Sequence, residues 1–357
     1  MKATFNRATL LNALRLARRF ASKEGELAYL KLDVAEDATT VSATNGNSGV
    51  VVGVDASKTA SGAALLGKEL VSFIRTLRDE TITIKSDGEK LRVSSETSSF
   101  SATNPNPAAF PSVVIPESAA WYVTNAALLK EFLSKALVVA RKSSPGLQSV
   151  LLDITHDRLH VVAATAHRLI ECNDVIARSD GMEETARFCL ELNDADRLLK
   201  TLPNRGTVRF RGTDDNRLVV TFHTTQCLFP LVYSPCHCWR EVVPDPNPSA
   251  EARVDICLLR DHLGAFEGND DQSGVRFTFQ GYRLLLSNET ELRCVPIVYN
   301  GPDAEIRLNA KYVLDFLRAN LSRECCRLQI NGHKDPVVFL TETENGASVR
   351  YVLMPIA

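Results

Sequence analysis

Hydrophobic positions recur at helical spacing in three stretches that open alike, about 120 residues apart. The first opens on Phe5-Asn6-Arg7-Ala8-Thr9-Leu10-Leu11 and runs to about Lys23; the second opens on Val123-Thr124-Asn125-Ala126-Ala127-Leu128-Leu129 and runs to Lys142. The third, Val254-Asp255-Ile256-Cys257-Leu258-Leu259, continues to Phe266. Each is followed by a second helical pattern, over Lys68 to Leu77, Asp194 to Leu202 and Ala310 to Leu317. Each second helix then runs into an alternating strand: Ile82–Lys85, Val208–Arg211 and Arg327–Ile330. Between the paired helices lie short alternating runs broken by turn signals. Examples are Thr39–Thr44, then Asn45-Gly46-Asn47, then Val50–Val54; in the second repeat Val150–Ile154 leads to His160–Ala164. The pattern predicts an α+β chain of three repeated domains, each with two helices packed on antiparallel sheets. Repeats of this length are domains rather than solenoid units, whose period is roughly 20 to 50 residues.

The boundaries fall at 1–118, 119–248 and 249–357, at proline-rich junctions. These run from Asn104-Pro105-Asn106-Pro107 to Pro116, and over Pro244-Asp245-Pro246-Asn247-Pro248, and they predict stiff, extended connections. Both junctions follow a similar phrase, Phe110-Pro111-Ser112-Val113-Val114-Ile115-Pro116 and Trp239-Arg240-Glu241-Val242-Val243-Pro244.

Composition narrows the class. The chain has 357 residues, 45% hydrophobic and 24% charged, which allows a core in each domain. Its start lacks the apolar segment of a signal peptide, and no apolar run approaches the ~20 residues of a membrane span. A cytoplasmic protein without a membrane partner is expected, its nine cysteines reduced rather than bridged. Net charge is only −2, but its distribution is uneven. Residues 1–23 carry Lys2, Arg7, Arg15, Arg18, Arg19 and Lys23 with no acid; Lys130, Lys135, Arg141 and Lys142 stand against Glu131 alone. Acid gathers at Asp153, Asp157, Glu183-Glu184, Asp214-Asp215 and Asp270-Asp271. One basic face on an acidic body suits phosphate contact, although basic helix faces are also commonly just solvated.

Candidate catalytic chemistry is sparse. Glycine-rich phosphate loops, nucleophile elbows and H-E-x-x-H helices are absent from the sequence. Cys236-His237-Cys238, with Cys227 nearby, offers metal-ligand types, but zinc sites usually space their cysteines as C-x2-4-C, so a plain loop is expected. No metal, cofactor or enzymatic activity is expected. Two segments remain. His167-Arg168-Leu169 sits at the polar end of a hydrophobic strand, and the chain ends on the apolar Tyr351-Val352-Leu353-Met354-Pro355-Ile356-Ala357. Such an ending either packs as a last strand or joins an exposed apolar patch.

The whole chain resembles the bacterial DNA polymerase III β subunit, the sliding clamp. The resemblance rests on the triplication and on three motifs in order: Ala164-Thr165-Ala166-His167-Arg168-Leu169 against the family's T-D-G-H-R-L, then Asn309–Leu317, then Tyr351–Ile356 against Y-V-V-M-P-M. The family implies a head-to-tail homodimeric ring with twelve helices lining a hole. Such a ring encircles double-stranded DNA without sequence specificity and makes or breaks no bond. It tethers the clamp loader, replicative and translesion polymerases, and other proteins bearing a clamp-binding motif. A bacterial, nucleoid-associated location follows.

Carried over by position, the resemblance implies a partner-peptide pocket walled by Leu147, Ala164, Ala166, His167, Arg168, Leu169, Val242, Asn309, Tyr312, Val352, Met354, Pro355 and Ile356. Arg18, Arg19, Lys23, Arg141 and Lys142 would face DNA, and Ala102, Phe266 and Glu267 would lie at the dimer interface. The sequence departs from the family at Ala164-Thr165-Ala166, at His237 on the pocket rim, at Pro145-Gly146 where tyrosines would touch DNA, at Glu267 in the interface, and in a short third domain around Leu284 to Pro296. These departures point to a divergent copy, with a specialised repair, lesion-bypass or scaffold protein as the alternative and a zinc hydrolase as the remote one.

Overall fold

The computed structural model describes the chain except residues 145–147, 234–237, 245–246, 267–273, 343–345 and 357. The described residues form an α+β structure with six helices and antiparallel sheets. The helices are α1 (Arg7–Ala17), α2 (Lys68–Thr76), α3 (Ala126–Ala140), α4 (Leu192–Thr201), α5 (Ile256–Gly264) and α6 (Ala310–Ala319).

The phrase that opens each repeat is a strand followed by a capped helix. Asn6 Oδ1 accepts the Thr9 amide at 3.1 Å, Asn125 Oδ1 accepts the Ala127 amide at 2.9 Å, and Asp255 Oδ1 accepts the Leu258 amide at 2.7 Å. An Asx residue here satisfies one of the amides that a helix leaves without a partner in its first turn. The aromatic and β-branched residues just before each cap are drawn into the preceding strand, so α1 begins at Arg7 and Phe5 lies in Lys2–Asn6, fully buried.

The chain divides into two compact units. The first comprises Met1–Ala127, Arg178–Met182 and Arg197–Leu231, and the second comprises Leu128–Ala177, Glu183–Asp196 and Val232–Ala357. In the first unit a five-stranded sheet runs Ser57–Ala60, Lys2–Asn6, Thr81–Asp87, Lys90–Ser94, Ser99–Thr103. A longer sheet contains Tyr122–Asn125, Thr207–Gly212, Arg217–Phe222, Thr225–Pro230, Gly49–Gly53, Thr39–Thr44, Leu30–Val34 and Gly62–Leu66 in that order. The alternation Leu30, Leu32, Val34 buries one face of its strand completely, as a period of two requires.

In the second unit nine strands run Thr185–Glu191, Ser149–Thr155, Arg158–Ala164, Arg168–Val175, Ser348–Leu353, Val337–Glu342, Cys325–Ile330, Ala250–Asp255, Val298–Asn300. A four-stranded sheet completes it: Leu292–Pro296, Arg283–Ser287, Val275–Gln280, Ala304–Leu308.

The long sheets join successive repeats by the same rule. Gly49–Gly53 of the first repeat pairs antiparallel with Thr225–Pro230, the last strand of the second. Arg168–Val175, at the equivalent place in the second repeat, pairs with Ser348–Leu353, the last strand of the third. Two members of this series lie at sheet edges in the chain: Ser99–Thr103, the last strand of the first repeat, and Leu292–Pro296 of the third.

The cysteines are unbridged among the described residues. Cys326 is buried and Cys325 half-buried at the start of their strand; Cys227 is buried, and burial pushes the Cys326 thiol up to about 12. Cys238 is exposed, whereas Cys236 and His237 lie outside the described residues. No described helix is long and apolar enough to cross a membrane.

Candidate partner-binding site

A cavity of about 280 Å³ opens on the second unit, lined by Ala164, Thr165, Ala166, His167, Arg168, Leu169, Cys238, Trp239, Val242, Val352 and Met354. Three elements meet there. The first is the turn between Arg158–Ala164 and Arg168–Val175, closed by Thr165, whose Oγ1 accepts the amides of His167 and Arg168 at 3.2 Å. The second is the end of the final strand, where Leu169 sits opposite Val352 and the Met354 amide donates to the His167 carbonyl at 2.9 Å. The third is the one-turn helix Trp239–Val242. The floor is core: Leu169, Trp239 and Val352 line it and belong to one buried cluster with Leu151, Val162, Cys189 and Val338. Val242 and Met354 are exposed at the rim, 57% and 43%. A flexible thioether beside a valine gives an apolar lip that can adapt to different side chains.

Arg168 is the polar anchor of the site, and its side chain is completely buried. Its Nη1 donates to Asp315 Oδ2 at 2.8 Å and to the Tyr351 hydroxyl at 3.2 Å, and the guanidinium lies 4.2 Å over the Tyr312 ring. The Tyr351 hydroxyl in turn donates to the Tyr312 carbonyl at 3.0 Å. Burial lowers the guanidinium pKa, and Tyr351 and Asp315 more than offset it, so Arg168 is held above its ordinary value and stays charged. Burial likewise raises the Tyr351 phenol. Arg168 Nε and Nη2 are buried with no hydrogen-bond partner, an uncommon state for donors enclosed in protein.

The cavity gathers Ala164, Ala166, His167, Arg168, Leu169, Val242, Val352 and Met354 of the expected wall. Leu147 lies outside the described residues. The other four do not line this cavity. Asn309 caps α6, accepting the Tyr312 amide at 3.2 Å; the Arg168 guanidinium lies over the Tyr312 ring; the Ile356 amide donates to the Arg307 carbonyl at 2.9 Å; Pro355 is half-buried. Thr165, Cys238 and Trp239 were missed. The junction phrase containing Trp239 was visible, but nothing in its pattern says that the indole turns into the sheet.

The basic residues behave less uniformly than their clustering in sequence suggests. Arg19 and Lys23 are exposed, and Arg18 Nη1 donates to the Ala28 carbonyl at 2.6 Å. In the second unit Arg141 is paired with Asp196 and Lys142 with Asp315, both at 2.6 Å. Lys135 is not on an open basic face at all: it is 3% exposed and paired with Glu131 at 2.7 Å. At the expected interface Ala102 is half-exposed on the edge strand Ser99–Thr103. Phe266 is 2% exposed, packed into its own unit just past α5, so it offers almost no surface to a partner; Glu267 lies outside the described residues. The aromatic surface near that edge is instead Phe100 stacked on Phe73, ring centroids 5.2 Å apart and both half-buried.

The α+β arrangement of the described residues, six helices with antiparallel sheets, is the fold of a sliding clamp. Its first 114 residues match the family model described as DNA polymerase III beta subunit, N-terminal domain. The chain is 25% identical over 298 residues to the beta sliding clamp of Escherichia coli K12, covering 77% of this chain and 76% of that relative; the Salmonella typhimurium beta sliding clamp is also 25% identical. Among solved structures, the sliding clamp of Pseudomonas aeruginosa bound to griselimycin aligns at a TM-score of 0.88 and 19% identity over 100% of this chain and 99% of that one. The β subunit of Thermotoga maritima aligns at 0.83 and 21%, again over 100% and 99%. The family match, the curated relatives and the solved neighbours are all DNA polymerase III β subunit clamps, so the resemblance read from the sequence holds.

Proposed function

We propose that this protein is a DNA sliding clamp: two copies close head to tail into a ring around duplex DNA, and the cavity beside Arg168 tethers partner proteins by a short peptide. The observation that carries the reading is the strand series. Within the chain, each repeat's last strand pairs with the third sheet strand of the repeat before it, leaving Ser99–Thr103 and Leu292–Pro296 over. Pairing these between copies would join a five-stranded and a four-stranded sheet into nine strands, the number in the long sheet of the second unit. It would also close the series on itself, which removes exposed edges that otherwise invite uncontrolled pairing. Domains at 1–118, 119–248 and 249–357, read from the repeat, supply three copies per chain and six per ring. The interface would include Ala102 and the Phe73–Phe100 pair rather than Phe266.

Arg18, Arg19, Lys23, Arg141 and Lys142 follow the ends of the first helices of two repeats, where cations also complement the helix dipole. Phosphate contact through such side chains holds any sequence and is salt-sensitive, which suits sliding. In the cavity, an apolar floor with adaptable lips would take an aliphatic or aromatic anchor. The clamp loader and the replicative and translesion polymerases are the partners this reading assigns.

Retention on closed circular DNA tests the topological reading. Complexes should survive on circles and be lost when the circle is linearised; equal loss from both would overturn it. Sedimentation from nanomolar to micromolar concentration tests the ring, and a monomer throughout would refute closure.

A further inference from the structure

Asp153 lies in Ser149–Thr155 at 2% exposure, outside the cavity, and its carboxylate is fully engaged. Oδ2 accepts the Trp239 indole Nε1–H at 2.8 Å and Arg240 Nη1 at 2.6 Å, and Oδ1 accepts Arg187 Nε at 3.3 Å. Arg240 also donates to Thr155 Oγ1 at 2.7 Å and stacks 4.3 Å over the Trp239 ring. The His160 ring, 5.4 Å away, packs against the same indole.

These contacts have one consequence in common. The one-turn helix Trp239–Val242 has no side-chain cap, and a single short turn does not hold itself in place. Its purchase on the sheet is the buried indole, the carboxylate that receives it, and the bond from Arg240 to Thr155 Oγ1. Trp239 contributes floor to the cavity, while Cys238 and Val242 on either side contribute rim.

We propose that Asp153 is the positioning residue of the partner-binding cavity, fixing the Cys238–Val242 rim through the Trp239 indole. The inference rests on the peptide-pocket reading for its functional meaning. Its mechanical content, that this carboxylate holds the rim, stands separately. If Asp153 is removed, an indole N–H is left buried without an acceptor, and the ring is driven to turn out and shift the rim.

The test uses full-length protein and a peptide with a leading glutamine and paired aliphatic and aromatic anchors. Asp153→Ala should weaken peptide Kd at least tenfold. Asp153→Asn, which keeps an oxygen for the indole but loses the charge that holds Arg240, should fall between Asp153→Ala and wild type. In a Trp239→Phe background, which has no indole donor, Asp153→Ala should cost less than half as much, a non-additivity that general destabilisation does not produce. Amide hydrogen exchange across 238–243 should accelerate in Asp153→Ala while exchange in Val337–Glu342 stays unchanged. Peptide affinity within twofold of wild type, or unchanged exchange at the rim, overturns the proposal. A wild-type protein that fails to bind peptide sinks the pocket reading instead, and the exchange experiment still decides whether Asp153 holds the rim.

Discussion

Removing either end of the Arg168–Asp315 ion pair should not cost the same. Asp315 Oδ2 receives Arg168 Nη1 at 2.8 Å and Lys142 Nζ at 2.6 Å, and the three side chains are 0%, 40% and 14% exposed for Arg168, Lys142 and Asp315. Asp315→Ala leaves a fully buried guanidinium with only the Tyr351 hydroxyl and the Tyr312 ring. An uncompensated buried charge of this kind costs about 3–5 kcal/mol. Arg168→Met removes the buried charge itself, and Asp315 keeps Lys142. What remains is a lost hydrogen bond at Tyr351 and imperfect repacking, about 1–2 kcal/mol. Lys142→Met breaks a half-exposed pair that solvent screens, about 0–1 kcal/mol. Arg168→Met with Asp315→Leu removes both charges and should recover most of the Asp315→Ala loss. Urea unfolding followed by Trp239 fluorescence, in a Trp121→Phe background, gives the ranking, provided the slope with denaturant is unchanged. If Asp315→Ala costs no more than Arg168→Met, or the double variant is as unstable as Asp315→Ala, the burial argument fails.

Truncation after Leu353 should weaken peptide binding at least tenfold, about 1.4 kcal/mol, because Met354 leaves the rim; calorimetry checks it, and unchanged affinity would show that the lip is dispensable. Leu292→Asp, at a side chain 65% exposed on the free edge strand, should leave monomer stability nearly unchanged while raising the dimer dissociation constant tenfold or more by sedimentation. Glu171 gives an acid-limb prediction. Burial raises its pKa, but the hydrogen bond with His160 and the proximity of Arg350, with a further bond from Asn173, more than offset that, so its pKa is lowered. A carboxylate depressed on folding contributes stability above its unfolded pKa of roughly 4.3 and loses it as pH falls through the lower folded value. Glu171→Gln should therefore flatten the loss of stability on acidification below about pH 4.5, and identical acid limbs in the two proteins would refute the assignment.

The six described helices and the α+β class were legible in the sequence because each depends on local periodicity and capping. Asn6, Asn125 and Asp255 announce helix starts wherever the chain goes, and alternation such as Leu30, Leu32, Val34 needs only a sheet with one buried face. The turn at His167 and the apolar ending could be marked as unusual for the same reason. What they do together could not be derived from pattern, since Leu169 and Val352 are neighbours only through strand register. That the tail is both core and rim is also a tertiary fact: Tyr351 is buried between two strands, while Met354, three residues on, is exposed. Charge was the least readable property. Lys135, Arg141 and Lys142 share a basic run in sequence, yet acids from the same helix, from α4 and from α6 pair with them. Ion pairs form between residues 4, 55 and 173 positions apart, and such distances are set by packing rather than by the chain. The sequence by itself determined what each segment is; the tertiary structure decided which segments meet, because burial and hydrogen bonding across strands act through space and carry no fixed spacing along the backbone.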